Sequence, residues 1–126
     1  MNVIDSSGWL EYFADGPNAE FFAPPIEATG DLLVPTLSLY EVFKRVLQQR
    51  GEGAALQAVA LMQQGQVVGF TAPLALVAAK VSIEYRLPMA DSIILATAQT
   101  YGAILWSQDA DFELITGVHY VAKMKS

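Results

Sequence analysis

Five acids sit where this chain is expected to pass from one backbone element to the next: Asp5, Glu41, Asp91, Asp109 and Asp111. Gathered in one cleft, such carboxylates repel each other, raise one another's pKa values and strain the fold unless a cation neutralises them. Oxygen ligands without cysteine or histidine select a hard ion, so Mg2+ or Mn2+ is the natural occupant. An acid-lined site of that kind commonly serves phosphate chemistry. The ion positions a water, lowers its pKa and neutralises charge building on the phosphorus oxygens.

Each acid also has an ordinary reading. Asp91 interrupts a helix-friendly, largely apolar stretch that opens at Pro88 and is expected to stop at Gly102. It lies one turn before Ile94 and Leu95, on the side expected to be buried, and reads as a first-turn capping acid or as a metal ligand. Asp5 reads alternatively as a turn or cap residue. Ser38-Leu39-Tyr40-Glu41 fits a capping box, so spacing alone makes Glu41 a capping glutamate. One of Asp109 and Asp111 suits an acidic surface turn anchored by Phe112. His119, the single histidine, has no second ligand nearby and is expected on the surface or on an edge strand.

The elements that must position these acids follow from patterning. Met1 to Asp5 reads as a short strand ending in an acid, and Ser6 or Ser7 should cap a helix presenting Trp9, Leu10 and Phe13. A second helix is expected near 18–28. Leu32-Leu33-Val34 reads as a fully buried strand stopped by Pro35. Leu39, Val42, Phe43, Val46 and Leu47 then recur at i, i+3, i+4, i+7 and i+8, one apolar helix face. Beyond Gly51-Glu52-Gly53 another helix completes an αα-hairpin. A strand is expected at Gln66 to Phe70. Thr71 and Pro73 start a helix carrying Leu74, Val77, Val81 and Tyr85, which gives way at Arg86-Leu87. Ala103 to Ser107 is the last strong strand, and Val118 to Val121 is a candidate edge strand. Strands alternating with helices or helix pairs predict an α/β fold with a parallel sheet. In such folds ligands bind at the carboxyl edge of the strands, where these acids lie.

The 126 residues suit one domain with a real core. Hydrophobic residues make up 53% and mean hydropathy is +0.35, an excess that suggests a covered interface. No apolar run approaches the ~20 residues that span a bilayer, and Asp5 breaks any signal-peptide core at once. The lack of cysteine excludes disulfides and thiolate metal sites and is compatible with a cytoplasmic protein. The net charge of −6 argues against broad, salt-driven nucleic-acid binding. A bound metal would answer that objection where the phosphate sits, with Lys44, Arg45 or Arg86 holding flanking phosphates. For any one of these cations, as for Arg50, a solvated face is the plainer reading.

Val3-Ile4-Asp5-Ser6-Ser7, Ser38-Leu39-Tyr40-Glu41-Val42, Leu87 to Ala98, and Leu105-Trp106-Ser107-Gln108-Asp109-Ala110-Asp111-Phe112 resemble the four motifs of PIN-domain ribonucleases, in particular the small bacterial and archaeal toxins of the VapC type. The resemblance spans nearly the whole chain. It implies a three-layer fold over residues 1–126, with about five parallel strands between helices. It further implies a Mg2+-dependent endoribonuclease (Mn2+ being an alternative ion). The family's catalytic acids carry over onto Asp5, Glu41, Asp91 and Asp109. Asp5, Asp91 and Asp109 would bind metal, Glu41 would orient or deprotonate the water, and Asp111, Ser6 and Ser107 would be auxiliary. Asp109 and Asp111 compete for one role. RNA is the implied substrate, with a cognate antitoxin and a second copy of the chain as protein partners, and no membrane. Two other classes compete: a non-catalytic PIN-like interaction module, and a receiver-like signalling domain, which also clusters acids around Mg2+. The receiver would need a phospho-accepting aspartate at its middle strand, and Gln66 to Phe70 offers none.

Overall fold

A computed structural model describes residues 1–125. Five strands and six helices alternate: β1 (Asn2–Ile4), α1 (Ser6–Phe13), α2 (Ala19–Glu27), β2 (Leu32–Pro35), α3 (Thr36–Arg50), α4 (Glu52–Met62), β3 (Gln66–Val68), α5 (Ala72–Tyr85), α6 (Met89–Thr100), β4 (Ile104–Ser107) and β5 (Val118–Tyr120). The sheet order is β3-β2-β1-β4-β5, and every pairing is parallel. The α/β expectation is met, edge strand β5 included.

Alternation along the short strands divides the core into two layers, because successive side chains point to opposite faces. Val3, Leu33 and Leu105 pack with Leu74, Val81 and the apolar run of α6. Ile4, Leu32 and Val34 face the other way, onto Trp9, Phe22, Val42, Val46 and Met62. Helices α5 and α6 therefore cover one face, and α1 to α4 the other. From Ser92 to Ala98, α6 is buried without a break. Among the described residues, no helix is long and apolar enough to cross a membrane.

Several local expectations are corrected. The cap of α1 is Asp5 itself, whose carboxylate accepts from the Gly8 N–H at 2.9 Å, rather than Ser6 or Ser7. The capping box at Ser38 does not form. Pro35, with its fixed φ, starts α3 three residues earlier and lacks a side-chain cap, so Ser38 falls inside the helix. Likewise α6 begins at Met89, with Pro88 as its cap residue. Thr71 does cap α5, accepting from the Leu74 N–H at 3.4 Å. Of the two helix stripes, Leu47, Val77 and Tyr85 remain exposed, because each helix meets the sheet along a narrower strip than the periodicity suggests.

Gly8 sits where α1 leaves the sheet, and a Cβ there would lie 2.7 Å from Ile4 Cγ2 and 2.7 Å from Phe22 Cε1. Both neighbours are fully buried, so neither can withdraw. Gly8→Ala should therefore cost about 1–3 kcal/mol despite alanine's better helix propensity. A urea denaturation midpoint equal to or above that of the parent would contradict this packing.

Candidate active site

The strand order reverses between β1 and β4, which makes the carboxyl ends of these two neighbours the topological switch point of the sheet. The register Ile4↔Trp106 places Asp5 beside Ser107. Asp5 is 2% exposed, and both its oxygens are engaged. Oδ1 accepts from the Gly8 N–H at 2.9 Å and Oδ2 from the Ser107 hydroxyl at 2.5 Å, while the Ser7 hydroxyl reaches both, at 2.9 and 3.0 Å. Burial nevertheless dominates. It pushes the Asp5 carboxyl up to about 6, the Ser107, Gly8 and Ser7 bonds pull it back, and the Asp109 charge adds a further push.

Asp91 arrives from the first turn of α6, whose residues 92–98 are buried against the sheet. Its carboxyl is pushed up to about 8, first by burial, then by a hydrogen bond with Asp111 and by the charges of Asp109, Asp111 and Asp5. Asp109 follows β4 and caps a single 3-10 turn, Ala110–Phe112, by accepting from the Asp111 N–H at 2.9 Å. Buried Phe112 anchors that turn. One carboxylate oxygen each from Asp91, Asp109 and Asp111 lies within 4.8 Å of the others. Asp111, expected as an auxiliary acid, is thus inside the tightest group. Asp5 interacts with Asp91 and Asp109 through its charge but stands outside that trio.

Glu41 is held apart from backbone capping. Its Oε1 accepts from the Ser6 hydroxyl at 2.6 Å, a bond that links α3 to the start of α1. The two auxiliary serines therefore do different work: Ser6 orients Glu41, while Ser107 joins Asp5 to the turn by also accepting from the Asp109 N–H at 2.9 Å. Ser7, expected only as a helix cap, bonds Asp5 instead, and Gln108 has no role expected from the sequence. Buried Gln108 accepts at 3.0 Å from the side chain of Asn18, itself buried, which ties the turn after β4 to the α1–α2 connection. No local pattern announces a pair 90 residues apart. His119 is exposed on β5, its ring edge-on to Trp106 at 4.7 Å between centroids. Lys44 lies over the Tyr40 ring at 5.7 Å, Arg86 closes α5 in the left-handed region, and Arg45 lines a cleft beside Ser7.

The donor set is all carboxylate and crowded, and burial with neighbouring charge raises Asp91 within it, which is the repulsion a hard divalent cation relieves. The residues therefore fit Mg2+ or Mn2+. Truncating Ser107 tests how Asp5 is kept ionisable. Ser107→Ala should raise the Asp5 pKa above about 6 and cost about 1.5–3 kcal/mol at pH 8, where the buried carboxylate is charged. The unfolded chain keeps its ordinary value, so the loss should shrink toward pH 5, where folded Asp5 is protonated. Equal losses at pH 5 and pH 8 in denaturant titrations would contradict the coupling.

A family model described as PIN domain matches residues 3–118. No curated protein matches the sequence. Among solved structures, the chain is similar to a toxin–antitoxin complex from Klebsiella pneumoniae, at 22% identity and TM-score 0.77, over 94% of this chain and 95% of that one. It is similar at 18% identity and TM-score 0.77 to VapC20 of Mycobacterium tuberculosis, a sarcin–ricin-loop-cleaving toxin, over 94% and 98%. A DNA-bound VapBC from Salmonella typhimurium matches at 14% identity and TM-score 0.71, over 96% of both chains.

Proposed function

The chain belongs to the PIN-domain family, and from that premise we propose that it is a metal-dependent endoribonuclease, the toxin component of a toxin–antitoxin pair. The observation that carries the reading is the convergence of Asp91, Asp109 and Asp111 within 4.8 Å, at the switch point where Asp5 follows β1. Asp91, Asp109 and Asp111 would hold the ion, with Asp5 adding its charge from the adjoining strand end. Bound there, Mg2+ or Mn2+ would lower the pKa of a water and offset the charge that develops on the scissile phosphate. Glu41, fixed by Ser6, would orient that water and accept its proton. Ser107 would keep Asp5 charged near neutral pH, and the buried Asn18–Gln108 pair would hold the acid-bearing turn in place.

Partners follow from surface and likeness together. Leu76, Ile83 and Met89 are exposed, as are Tyr40 and Leu56 on the α3–α4 hairpin, and apolar side chains in that number suit protein interfaces. A second copy of this chain and an antitoxin are the occupants we infer, since several of the similar structures are toxin–antitoxin complexes.

The test is incubation of purified protein with defined tRNA and mRNA-like substrates in Mg2+, in Mn2+ and in EDTA. Internal cuts that need the metal are the expected result. Intact RNA under every condition would overturn the enzyme reading in favour of a non-catalytic interaction module.

A further inference from the structure

The acids leave a question of charge: an anionic strand must stay bound on a protein of net charge −6. Three of the chain's seven basic residues, Arg45, Arg50 and Lys123, line one cleft of about 260 Å3. Its single acid is Glu11, whose carboxylate accepts from the Asn18 N–H at 2.7 Å and so turns toward the α1–α2 connection. Three cations against one acid leave the lining at +2, opposite in sign to the chain as a whole. We propose that this cleft binds the phosphodiester backbone of the RNA next to the bond being cut, with Arg45, Arg50 and Lys123 as its phosphate ligands. The proposal rests on the ribonuclease reading above.

The cleft adjoins the acid site through shared residues. Ser7 lines it and donates its hydroxyl to Asp5. Gln108 lines it and stands between Ser107 and Asp109. A strand leaving a cluster of acids needs cations at its next phosphates, and this cleft supplies them in the company of Ser7 and Gln108. The arrangement is built by packing. Arg45 and Arg50 project from α3, on either side of Gln49, which also lines the cleft. Lys123 comes from the segment after β5, which is pinned when the Asn18 side chain donates to the Ala122 carbonyl at 3.0 Å. Leu10 and half-buried Phe13 add apolar surface, and Phe13 is already stacked on Trp9 at 5.7 Å. A positive groove with an aromatic face is the combination that holds single-stranded RNA without reading its sequence.

The experiment is steady-state cleavage of a single-stranded RNA oligonucleotide in Mg2+ at several NaCl concentrations. It compares the parent, Arg45→Glu/Arg50→Glu, Arg45→Ala/Arg50→Ala and Lys80→Glu. Lys80 is exposed on α5 and lies outside the cleft, and its reversal makes the chain two charges more negative, as the double alanine does, so that pair separates site from net charge. All the substituted side chains are exposed, and melting curves check that each variant is folded. The double reversal should raise KM at least about tenfold while kcat stays within about threefold. The double alanine should flatten the dependence of log(kcat/KM) on log[salt] by about 0.7 for each phosphate that is no longer neutralised. Lys80→Glu should stay near the parent. If the parent cuts RNA and the double reversal does no more than Lys80→Glu, the cleft proposal is overturned and a protein partner becomes its better occupant. If the parent does not cut at all, the ribonuclease reading falls, and the cleft proposal with it.

Discussion

Replacing Asp91 with asparagine should abolish RNA cleavage and, in metal-free protein, raise the melting temperature. Loss of one of three converging carboxylates removes a ligand from the proposed ion, whose stabilisation of the transition state is several kcal/mol, so cleavage should fall by roughly 10³-fold or more. The stability effect has the opposite sign for the same reason. Burial and the charges of Asp109, Asp111 and Asp5 disfavour an ionised Asp91, holding its pKa at about 8. Asparagine keeps the shape without the charge. Asp91 is only partly buried, so water screens much of the repulsion, and a gain of about 1–2 kcal/mol at pH 8 is the discounted expectation. That corresponds to roughly 4–8 °C for a domain of this size. The gain should shrink toward pH 4, where the folded carboxyl is neutral in the parent as well. A variant that cuts RNA normally, or melts below the parent at pH 8, would contradict the assignment.

The second large effect is on the parent protein. Asp5 and Asp91 are raised from 3.8 to about 6 and about 8, so between those values the folded chain holds protons that the unfolded chain has released. Their contribution to stability is therefore full below about pH 4 and is lost as pH rises through 6 and then 8. For buried Asp5, a shift of about two units is about 3 kcal/mol. A divalent cation should restore what ionisation removes. At a hundredfold excess over its dissociation constant it adds about 2.7 kcal/mol, or about 10 °C at pH 8. At pH 5 protons compete for the same oxygens, so the shift should be small. Asp91→Asn should lose most of the cation-induced gain. A shift reproduced in that variant, or by NaCl at matched ionic strength, would show that the ion does not bind at these carboxylates.

Much of this site is legible in the sequence alone, because strand–helix alternation carries Asp5, Asp91 and Asp109 to one sheet edge whatever the details of packing. Side chains are harder to assign where two local patterns compete. Ser38 and Glu41 have capping-box spacing, but the box works only if the helix starts at Ser38, and Pro35 starts it earlier. That frees Glu41 for Ser6, across 35 residues. Asp5 reads as cap or as site acid because it is both: one oxygen closes α1 while the other meets Ser107. Asp111 joins the tight trio because the turn between it and Asp109 folds back on Asp109's own carboxylate, a local geometry that residue spacing does not encode. The cations are the least legible. Arg45 and Arg50 come from α3 and Lys123 from the far end of the chain, and only the three-dimensional path brings them beside Ser7.

The most direct test of the central claim is the chemistry of the cut ends. RNA cleaved by the parent protein in Mg2+ and 18O-labelled water should be analysed by mass spectrometry. Attack by a water activated at the acid cluster predicts one 18O in the terminal phosphate and no 2′,3′-cyclic phosphate. Cyclic phosphate ends would mean that the neighbouring 2′-hydroxyl, not water, attacks phosphorus, and would contradict the account built on these carboxylates.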